Sequence, residues 1–533
     1  MAGSLTPLPW TADLGDGTYR NPVLNADWSD PDAIRVGRDY YLTASSFHRV
    51  PGLPVLHSRD LVNWTIIGHA LPEPEPAEAY AAPRWGCGVW APALRHHAGR
   101  FWIFYPDPDH GIHVVTADDP AGPWTRPRLL KPGRGLIDPC PLWDEDGSAY
   151  LVHAWAKSRA GFNNRLTLHR MSPDATRLLD DGTVVVDGDA IPGCRTLEGP
   201  KLYRHGGHYW IFAPAGGVAT GRQYAFRAPG VFGPYEHRVV LEQGDSDVNG
   251  PHQGAWVDAP GGGHWFLHFQ DRGAYGRVVH LQPMRWREED GWPVLGAHGT
   301  PVARHRKPVT GEPPSAPASS DDFTGGRFGP QWTWQGVPDP AWTGRATGGG
   351  LRLACVRHAD ADDLRRLPNV LGQRLPAETF TATTDLTLTG GEPGARAGLA
   401  VLGDAYAWIG LERTATGVDL VYRVAHPDGA EKDAAARRPL PDPGRSVRLA
   451  VHVGAGAECR FTADASGEPG GRGGSSPREN RAGPRRFGDP FTATGARWVG
   501  ATLGLFAAAP PGAGPAAGHA DFGGFHVDGE EHP

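Results

Sequence analysis

Several features that mark particular classes of protein are scarce in this 533-residue sequence. Its five cysteines are an odd number and form no CxxC pair, which favours reduced thiols over a disulfide scaffold or a zinc site. No run of about 18 apolar residues occurs, and the first residues lack a basic start followed by an apolar stretch. We therefore expect a soluble, cytoplasmic protein without a membrane partner.

The sequence also lacks a large excess of charge of one sign. The 52 Lys and Arg residues and the 59 Asp and Glu residues give a net charge of −7, and neither sign forms a long run. Because binding to a phosphate backbone needs a basic surface, this balance argues against a nucleic-acid partner. No P-loop, dinucleotide fingerprint or Ser-His-Asp order occurs in a suitable context, so we expect no organic cofactor.

Turn formers and aromatic residues are abundant. The chain contains 74 Gly and 52 Pro together with 19 Trp, 13 Tyr and 18 Phe, an aromatic content that a disordered chain would not carry. Helical periodicity is almost absent, whereas short aromatic runs bounded by Gly, Asp or Pro recur throughout. The sequence therefore predicts an all-β protein, and its length predicts more than one domain.

A repeat organises the N-terminal half. Five times, a marker residue is followed some 10 to 13 residues later by an aromatic strand, with a tight turn between them. The markers are Asp30, Trp90, Asp138, Glu198 and His252. They recur every 48 to 60 residues, which is the period of propeller blades with four strands each. We therefore predict a five-bladed β-propeller over residues 15–306, whose markers converge on one central funnel.

A second domain is predicted after the propeller. Residues 307–322 (KPVTGEPPSAPASSDD) have no strand pattern and are interpreted as a linker. The residues from 323 to 533 are predicted to form a β-sandwich of the jelly-roll, lectin-like kind, on the strength of the β-rich stretches 351–355, 380–388, 401–412 and 447–453. The low-complexity run 463–486 is interpreted as a mobile loop, and the closing segment around Phe522 is expected to pack against the propeller.

Three of the five markers are carboxylates, namely Asp30, Asp138 and Glu198. Carboxylates brought together over a sugar-sized pocket hydrolyse glycosidic bonds, one as a protonated acid and another as an ionised base. Taken singly, each has an ordinary alternative, because the two Asp-Pro pairs could be turns and the Glu-Gly-Pro segment a solvated loop. Their common position at the start of three blades favours the catalytic hypothesis.

Four further residues are candidates with ordinary alternatives. Trp90 and Phe47 could stack on a sugar ring or belong to the core between blades. His252 could contact an ion or water on the propeller axis, or be a buried, hydrogen-bonded histidine. Arg277 is a single Arg in a strand pattern, for which a surface ion pair is the default interpretation.

The motifs of the propeller half resemble those of glycoside hydrolase family 43. The segments that carry the resemblance are Asn21–Leu24, Trp28–Asp32, Tyr40–Phe47, His57–Trp64, Trp90–Pro92, Ile137–Pro139, Leu197–Pro200, Gly233–Glu236, Gly250–Gly254 and Gly276–Pro283. The C-terminal part is similar to the β-sandwich appended to the β-xylosidase branch of that family. Its less specific motifs are Leu371–Arg374, Gly495–Gly500, Gly504–Ala507 and Ala520–Phe522.

The resemblance implies an enzyme that removes pentose units, β-D-xylose or α-L-arabinofuranose, from xylo-oligosaccharides or arabinoxylan-type substrates. It also implies inversion of configuration at the anomeric carbon. By motif, Asp30 matches the general base and Glu198 the general acid. Asp138 matches the third carboxylate, which orients the acid and raises its pKa.

Pocket residues and a metal are implied in the same way. Phe47, Trp90 and Arg277 match pocket residues, and we expect Arg277 to lie near Asp30 and to favour its charged form. His252 matches a residue that in many members approaches a central calcium ion. One calcium ion near the propeller axis is therefore an expectation.

Two other functions stay open on the residues alone. A retaining fructosidase or a glycosyl transferase could also use a five-bladed propeller with three carboxylates. Against this, fructan-cleaving enzymes resemble WMNDPNG and ECP where this chain has WSDPDAI and EGP. A non-catalytic sugar-binding protein would keep Trp90 and Phe47 but has no need of all three carboxylates. The choice between xylose and arabinose and the oligomeric state are also left open.

Overall fold

The computed structural model describes residues 8–429, 431, 434–465, 485–514 and 518–529. Strands dominate these residues, and they form a five-bladed β-propeller followed by a β-sandwich, which confirms the predicted fold class. The central part of the predicted mobile loop, residues 466–484, lies outside the described residues.

Strand β1 (Thr18–Arg20) precedes five antiparallel sheets of four strands each. Blade 1 comprises β2 (Asp32–Val36), β3 (Asp39–Thr43), β4 (Gly52–Ser58) and β5 (Thr65–Leu71). Blade 2 comprises β6 (Ala93–His97), β7 (Arg100–Asp107), β8 (Gly111–Ala117) and β9 (Arg128–Pro132). Blade 3 comprises β10 (Leu136–Trp143), β11 (Ala149–Trp155), β12 (Arg165–Met171) and β13 (Thr183–Asp187). Blade 4 comprises β14 (Lys201–His205), β15 (His208–Ala215), β16 (Arg222–Ala228) and β17 (Glu236–Leu241). Blade 5 comprises β18 (His252–Asp258), β19 (His264–Asp271), β20 (Arg277–Trp286) and β21 (Pro293–Leu295), and β22 (Arg304–Arg306) follows it.

The aromatic runs singled out in the sequence are the second strands of the blades. Strand β7 is representative, because every residue of RFWIFYPD after Arg100 is buried. A strand in the middle of a blade has a neighbouring blade on each face, so both of its side-chain rows are apolar. Around the axis, β2 contacts β6, β6 contacts β10 and β10 contacts β14, while β18 contacts β15 and β16 of blade 4 on one side and β2 on the other. The ring therefore closes between blade 5 and blade 1.

No strand is shared between blade 5 and blade 1, so other contacts close the ring. Strand β1 pairs antiparallel with β22, and Leu24 forms a bridge with Val279 of blade 5. The side-chain amide of Asn21 and the hydroxyl of Tyr19 both donate to the carbonyl of Leu281, at 2.9 and 2.8 Å. The N-terminal segment is thus attached to the last blade.

Residues 307–320, within the predicted linker, contain no strand. The segment nevertheless packs on the propeller. The ammonium of Lys307 is buried between Asp13, with which it forms a close ion pair, and Asp60 at 2.8 Å. The backbone N–H of Ser315 donates to the side chain of Asn63 at 2.9 Å. Charge pairing and hydrogen bonds therefore hold the connection between the domains.

The C-terminal domain has sixteen strands in its described part. They are β23 (Thr333–Trp334), β24 (Thr343–Arg345), β25 (Leu351–Ala354), β26 (Val356–Arg357), β27 (Leu371–Arg374), β28 (Phe380–Thr389), β29 (Arg396–Leu402), β30 (Tyr406–Arg413), β31 (Val418–Ala425), β32 (Ala436–Pro439), β33 (Val447–Val453), β34 (Glu458–Asp464), β35 (Arg485–Arg486), β36 (Phe491–Thr492), β37 (Thr502–Ala509) and β38 (His519–Gly529). One sheet has the order β23-β27-β37-β29-β30-β31-β32, with β26 paired to β37. The other has the order β24-β25-β38-β28-β33-β34-β35, with β36 paired to β34.

The two sheets enclose one apolar core. Strand β28 shows how the sequence specifies it, because alternate residues from Phe380 to Leu388 are buried while those between them are partly exposed. Two expectations need correction. The stretch 401–412 is the end of β29, a turn and β30, since Gly403 and Asp404 interrupt it. Phe522 lies inside the sandwich core, where β38 pairs with β25 and β28, and not against the propeller.

Helical structure in the described residues is limited to single turns. One α-helical turn, α1, spans Lys157–Ala160. The 3₁₀ turns are Ala77–Tyr80, Gly188–Ala190, Gly273–Tyr275, Thr324–Gly326, Pro340–Trp342, Leu364–Arg366 and Ala455–Ala457. Among the described residues, no helix is long and apolar enough to cross a membrane.

The buried ion pairs of Lys307 generate a prediction. Replacing Lys307 by Met leaves Asp13 and Asp60 without their cation in a buried site, so we expect a loss of about 3–5 kcal/mol in the free energy of unfolding. The loss should shrink as the pH falls through the carboxyl range, because protonated Asp13 needs no cation. Urea unfolding at several pH values measures this loss of free energy. The matched control is Arg304→Met, which removes an exposed ion pair to Asp16 and should cost less than about 1 kcal/mol. Equal losses for the two variants would contradict the assignment.

Candidate active site

The five marker residues meet at one pocket on the propeller axis. Its volume is about 460 Å³. All seven residues proposed from the sequence line it, namely Asp30, Phe47, Trp90, Asp138, Glu198, His252 and Arg277. The repeat brings them together because each marker lies at the start of the first strand of its blade. The sequence spacing therefore translates directly into a common site.

The backbone at the start of each blade explains how the carboxylates reach the axis. A proline directly precedes the first strand of blades 1, 2, 4 and 5, and in blade 3 Pro139 lies inside the first strand. The residues before these prolines are Asp30, Ala91, Asp138, Gly199 and Gly250. Asp30 and Asp138 have φ angles of 54° and 55°, in the left-handed region that non-glycine residues seldom adopt. Such strain persists only where surrounding contacts enforce it, and it is concentrated at functional sites.

Asp30 is held by three side-chain donors. The hydroxyls of Ser45 and Ser29 donate to Oδ2 at 2.6 and 2.9 Å. The guanidinium of Arg277 donates to Oδ1 at 3.1 Å and to Oδ2 at 3.3 Å. Asp30 and Arg277 are 7% and 6% exposed. Three donors around one buried carboxyl are the environment that an ionised carboxylate requires.

Asp138 and Glu198 form a second, coupled pair of carboxyls. Burial raises the pKa of Glu198, and the negative charges of Asp138 and Asp30 raise it further. Burial also raises the pKa of Asp138, but the backbone N–H of Gly199 donates to its Oδ2 at 2.7 Å and opposes that rise. We place the shared proton on Glu198, because that donor stabilises the charge on Asp138.

Gly199 has to be a glycine for this arrangement. Its φ angle is 62°, and a Cβ there would lie 2.8 Å from the side chain of Gln253. The close approach lets its N–H reach Asp138 while Glu198, one residue earlier, points into the pocket. The segment Glu198–Gly199 thus provides one carboxyl and also the backbone donor that binds the other, Asp138.

His252 lies against Glu198 and is neutral at physiological pH. Its Nε2 is 3.4 Å from Oε1 of Glu198. Burial, followed by the charge of Arg277, lowers the pKa of its imidazole to about 3. An uncharged ring beside a protonated carboxyl adds no charge to the acid side of the pocket.

The residues around His252 do not form a calcium cage. Calcium takes six to eight oxygen ligands. Across the described residues, no three His, Cys, Asp or Glu side chains are grouped so that they could hold a metal ion. The Arg277 guanidinium near the imidazole also disfavours a cation. No chemical step below uses a metal, and the calcium expectation stays a prediction.

Phe47 and Trp90 form aromatic walls of the pocket. Phe47 has a φ angle of 52° and exchanges backbone hydrogen bonds with Val89 of the next blade. Trp90 donates from its indole nitrogen to the carbonyl of Gly86 at 3.2 Å, which fixes the ring. Aromatic faces of this kind suit the apolar face of a sugar ring.

The second domain contributes a pocket residue that was not predicted from the sequence. Trp498, between β36 and β37 of the sandwich, lines the pocket and meets Trp90 edge to face, with ring centroids 6.4 Å apart. The guanidinium of Arg277 lies 5.7 Å from its ring centre. The segment Gly495–Gly500 had been noted for its resemblance, but nothing in its sequence indicates that it faces the propeller. Gln253 and Val218 also line the pocket and were not proposed.

Backbone contacts between the domains hold the Trp498 loop in place. The carboxylate of Asp27 accepts from the N–H of Gly500 and from the N–H of Arg277, both at 2.9 Å. The N–H of Ala501 donates to the carbonyl of Ala274 at 2.7 Å. One carboxylate therefore positions both the loop and the strand that carries Arg277.

The arrangement can perform acid and base catalysis on one bond. It contains the carboxyl of Asp30 with three donors, the carboxyl of Glu198 with a raised pKa, and the aromatic rings of Phe47, Trp90 and Trp498. Residues 19–293 match the family described as "Glycosyl hydrolases family 43". The chain belongs to glycosyl hydrolase family 43. This family-43 chain is thus a glycoside hydrolase, and the resemblance found in the sequence is confirmed.

The second domain matches as well. Residues 320–528 of the family-43 chain match a domain described as "Beta xylosidase C-terminal Concanavalin A-like domain". A solved structure described as a xylan beta-1,4-xylosidase from Bacillus halodurans covers 96% of this chain and 99% of its own, with a TM-score of 0.82 at 23% identity. That likeness shows a common fold across both domains.

Curated relatives of the family-43 chain match it over about three quarters of its length. It is 41% identical over 412 residues to a protein of Xylanibacter ruminicola, covering 75% of this chain and 73% of the relative. It is 32% identical over 455 residues to a β-xylosidase of Formosa agariphila, covering 75% and 76%. It is 30% identical over 429 residues to a non-reducing end α-L-arabinofuranosidase of Bacteroides ovatus, covering 74% and 76%.

The coupled carboxyls of this family-43 site generate a pH prediction. Asp138→Asn removes a negative charge beside Glu198, so the pKa of Glu198 should fall and the alkaline limb of the pH profile of kcat/KM should move down by about one unit. The control is Asp118→Asn, which changes a carboxylate that is 80% exposed on the outer surface. An unmoved alkaline limb would show that Asp138 does not set the proton affinity of Glu198.

The position of Trp498 generates a second prediction. Trp498→Ala removes the aromatic wall supplied by the sandwich, and KM for a glycoside substrate should rise about five- to tenfold, the size of one stacking contact. Trp498→Phe keeps an aromatic face and should stay within about twofold of the parent enzyme. Initial rates over a range of substrate concentrations measure both. Equal KM values for all three proteins would contradict a direct contact with substrate.

Proposed function

We propose that this family-43 enzyme releases single pentose units, β-D-xylose or α-L-arabinofuranose, from oligosaccharides in one displacement with inversion. The observation that carries the proposal is the contrast between two carboxyls on one pocket. Asp30 is surrounded by three donors, whereas Glu198 shares a proton with Asp138. The β-xylosidase and α-L-arabinofuranosidase names of two relatives support the pentose class.

In the proposed mechanism, Asp30 is the general base. Its carboxylate takes a proton from a water molecule as the water oxygen attacks the anomeric carbon from the face opposite the leaving group. Base and acid must stand about 6.5–9.5 Å apart to leave room for that water. Arg277 and the two serines donate hydrogen bonds to Asp30, which orient its carboxyl for this role.

Glu198 is the general acid of the proposed mechanism. Its proton moves to the glycosidic oxygen as the bond to the anomeric carbon breaks, which neutralises the charge that develops on the leaving group. Asp138 keeps the proton on Glu198 through its own charge, and Gly199 fixes the orientation of Asp138. After release of both products, Asp30 has gained one proton and Glu198 has lost one, and exchange with solvent resets the site.

The aromatic lining of the pocket supports binding of a single sugar ring. Trp90, Phe47 and Trp498 line it, and the rings of Trp90 and Trp498 meet edge to face. Aromatic faces of this kind suit stacking on the pentose unit that is released.

A comparison of leaving groups tests the two proposed roles. Glu198→Ala should lose far more activity on xylobiose than on nitrophenyl β-D-xyloside, because a nitrophenolate leaves with little protonation whereas an alkoxide needs the acid. Asp30→Ala should lower the rate about a thousandfold on both substrates, since every leaving group requires activated water. Parallel assays with nitrophenyl α-L-arabinofuranoside identify the preferred pentose.

Proton NMR of the first sugar released provides the deciding control. Inversion is expected, and azide added to Asp30→Ala should restore some turnover by attacking in place of water. Retention of configuration, or near-normal rates for Asp30→Ala, would replace the proposal by a retaining mechanism. A wild-type protein that binds xylo-oligosaccharides without cleaving any glycoside would instead favour a non-catalytic binding function.

A further inference from the structure

A second cavity lies between the two domains, away from the catalytic pocket. No residue lines both this cavity and the catalytic pocket. The segment before Asp30, the connection between the domains, and the sandwich all contribute to its walls. Ligand sites in proteins often lie at such domain interfaces.

Most of the cavity wall is apolar. The side chains that make it so include Val23, Leu24, Ala26, Ile66, Ala316 and Pro376. The buried indole of Trp28 adds an aromatic surface. Such a wall favours a ligand with an apolar body, because burying apolar surface contributes about 25 cal/mol per Å². It disfavours a compact inorganic anion, which would lose its hydration and gain few partners.

One guanidinium reaches this apolar cavity with its outer nitrogens unused. Arg374 of β27 lies flat over Trp28, with its central carbon 3.9 Å from the ring centre. Its Nε donates to the backbone carbonyl of Asp27 at 2.5 Å. In the described part of the chain, no hydrogen bond or ion pair engages its two terminal nitrogens. Stacking and the Nε bond fix the plane of the group and leave its outer edge free to bind.

The carboxylate nearest to Arg374 is already used by other donors. Asp27 accepts the backbone N–H groups of Arg277 and Gly500. A second guanidinium, Arg49, lies close enough to Arg374 for mutual repulsion, and one of its terminal nitrogens is buried without a partner. Arg49 lies outside the cavity lining, and among the residues that line the cavity only Arg374 is charged. Buried or partly buried charges are normally paired, so the free edge of Arg374 points to an anion in the cavity.

We infer that the cavity between the domains is a binding site for a small organic acid, whose carboxylate pairs with the free edge of Arg374 and whose apolar body fills the cavity. The planar fork of a guanidinium binds a carboxylate through two parallel hydrogen bonds. The apolar walls specify the body of the ligand, and the single cation specifies one carboxylate. This site is separate from the proposed pentose pocket and does not depend on the proposed activity.

The contacts of Arg374 connect the cavity between the domains to the catalytic pocket through hydrogen bonds. Arg374 holds the backbone of Asp27, and the side chain of Asp27 positions Arg277 and the Trp498 loop. A ligand on Arg374 therefore acts on the segment that leads to Asp30. We expect an occupied site to change kcat without competing with substrate.

Benzoate and benzamide make a matched pair of probes, because they have the same size and shape and differ in charge. Isothermal titration calorimetry of the full chain should show benzoate binding at least tenfold more tightly than benzamide, a difference of about 1.4 kcal/mol. Glucuronate, a carboxylate with a hydroxylated body, should bind more weakly than benzoate. Benzoate should also raise the melting temperature, because it binds only the folded state.

Variants locate the binding. Arg374→Gln should remove the preference for benzoate over benzamide, and Ala316→Phe, which fills the cavity but keeps Arg374, should abolish binding of both. Thr310→Phe, an exposed position on the same connecting segment outside the cavity, is the control and should bind benzoate normally. Equal affinity for benzoate and benzamide, stronger binding of glucuronate, no binding at 10 mM, or full binding by Ala316→Phe would each overturn the inference.

Discussion

The pairing of Arg277 with Asp30 is the contact on which the rest of the site depends. Blades 5 and 1 share no strand, so the ring closes through the β1–β22 ribbon and through contacts such as this one. The same guanidinium supplies the charge that an ionised Asp30 needs. Its backbone N–H is bound by Asp27, which also binds the loop carrying Trp498. Ring closure, the charge on the proposed base and the position of the second domain are thus parts of one network.

The propeller and most of its site could be predicted because each blade repeats one local pattern. A marker, a tight turn and an aromatic strand are all encoded within a short window, and the spacing of Asp30, Asp138 and Glu198 follows from blade size. Trp498 could not be found in this way. Its position results from backbone hydrogen bonds to residues far away in the sequence, and backbone donors are the same for every side chain. The ends of strands β29 and β30 were missed for a related reason, since apolar residues flank their turn on both sides.

The three neighbouring carboxyls of the site differ in their donors and surroundings. Asp30 has three donors, Asp138 has one backbone donor, and Glu198 lies against a neutral imidazole. The charge of Asp138 raises the pKa of Glu198, and the charge of Asp30 raises the pKa of both, so the pKa values of Asp138 and Glu198 belong to the pair. The identity of Gly199 also matters, because a Cβ there would press on the side chain of Gln253 in a left-handed backbone conformation. The chemistry of the pocket is therefore encoded partly in its backbone.

The contribution of Trp498 to a propeller pocket limits how freely the two domains can be recombined. A propeller joined to the sandwich of a distant relative would still close its own ring, because every blade supplies all four of its strands. Its pocket would lack one wall unless the foreign loop met Asp27 and Ala274 with the same spacing. The two domains are separate in the chain, but both line the pocket and therefore both affect substrate specificity. Changes in the loop Gly495–Gly500 and in the rim of the propeller therefore have to be selected together.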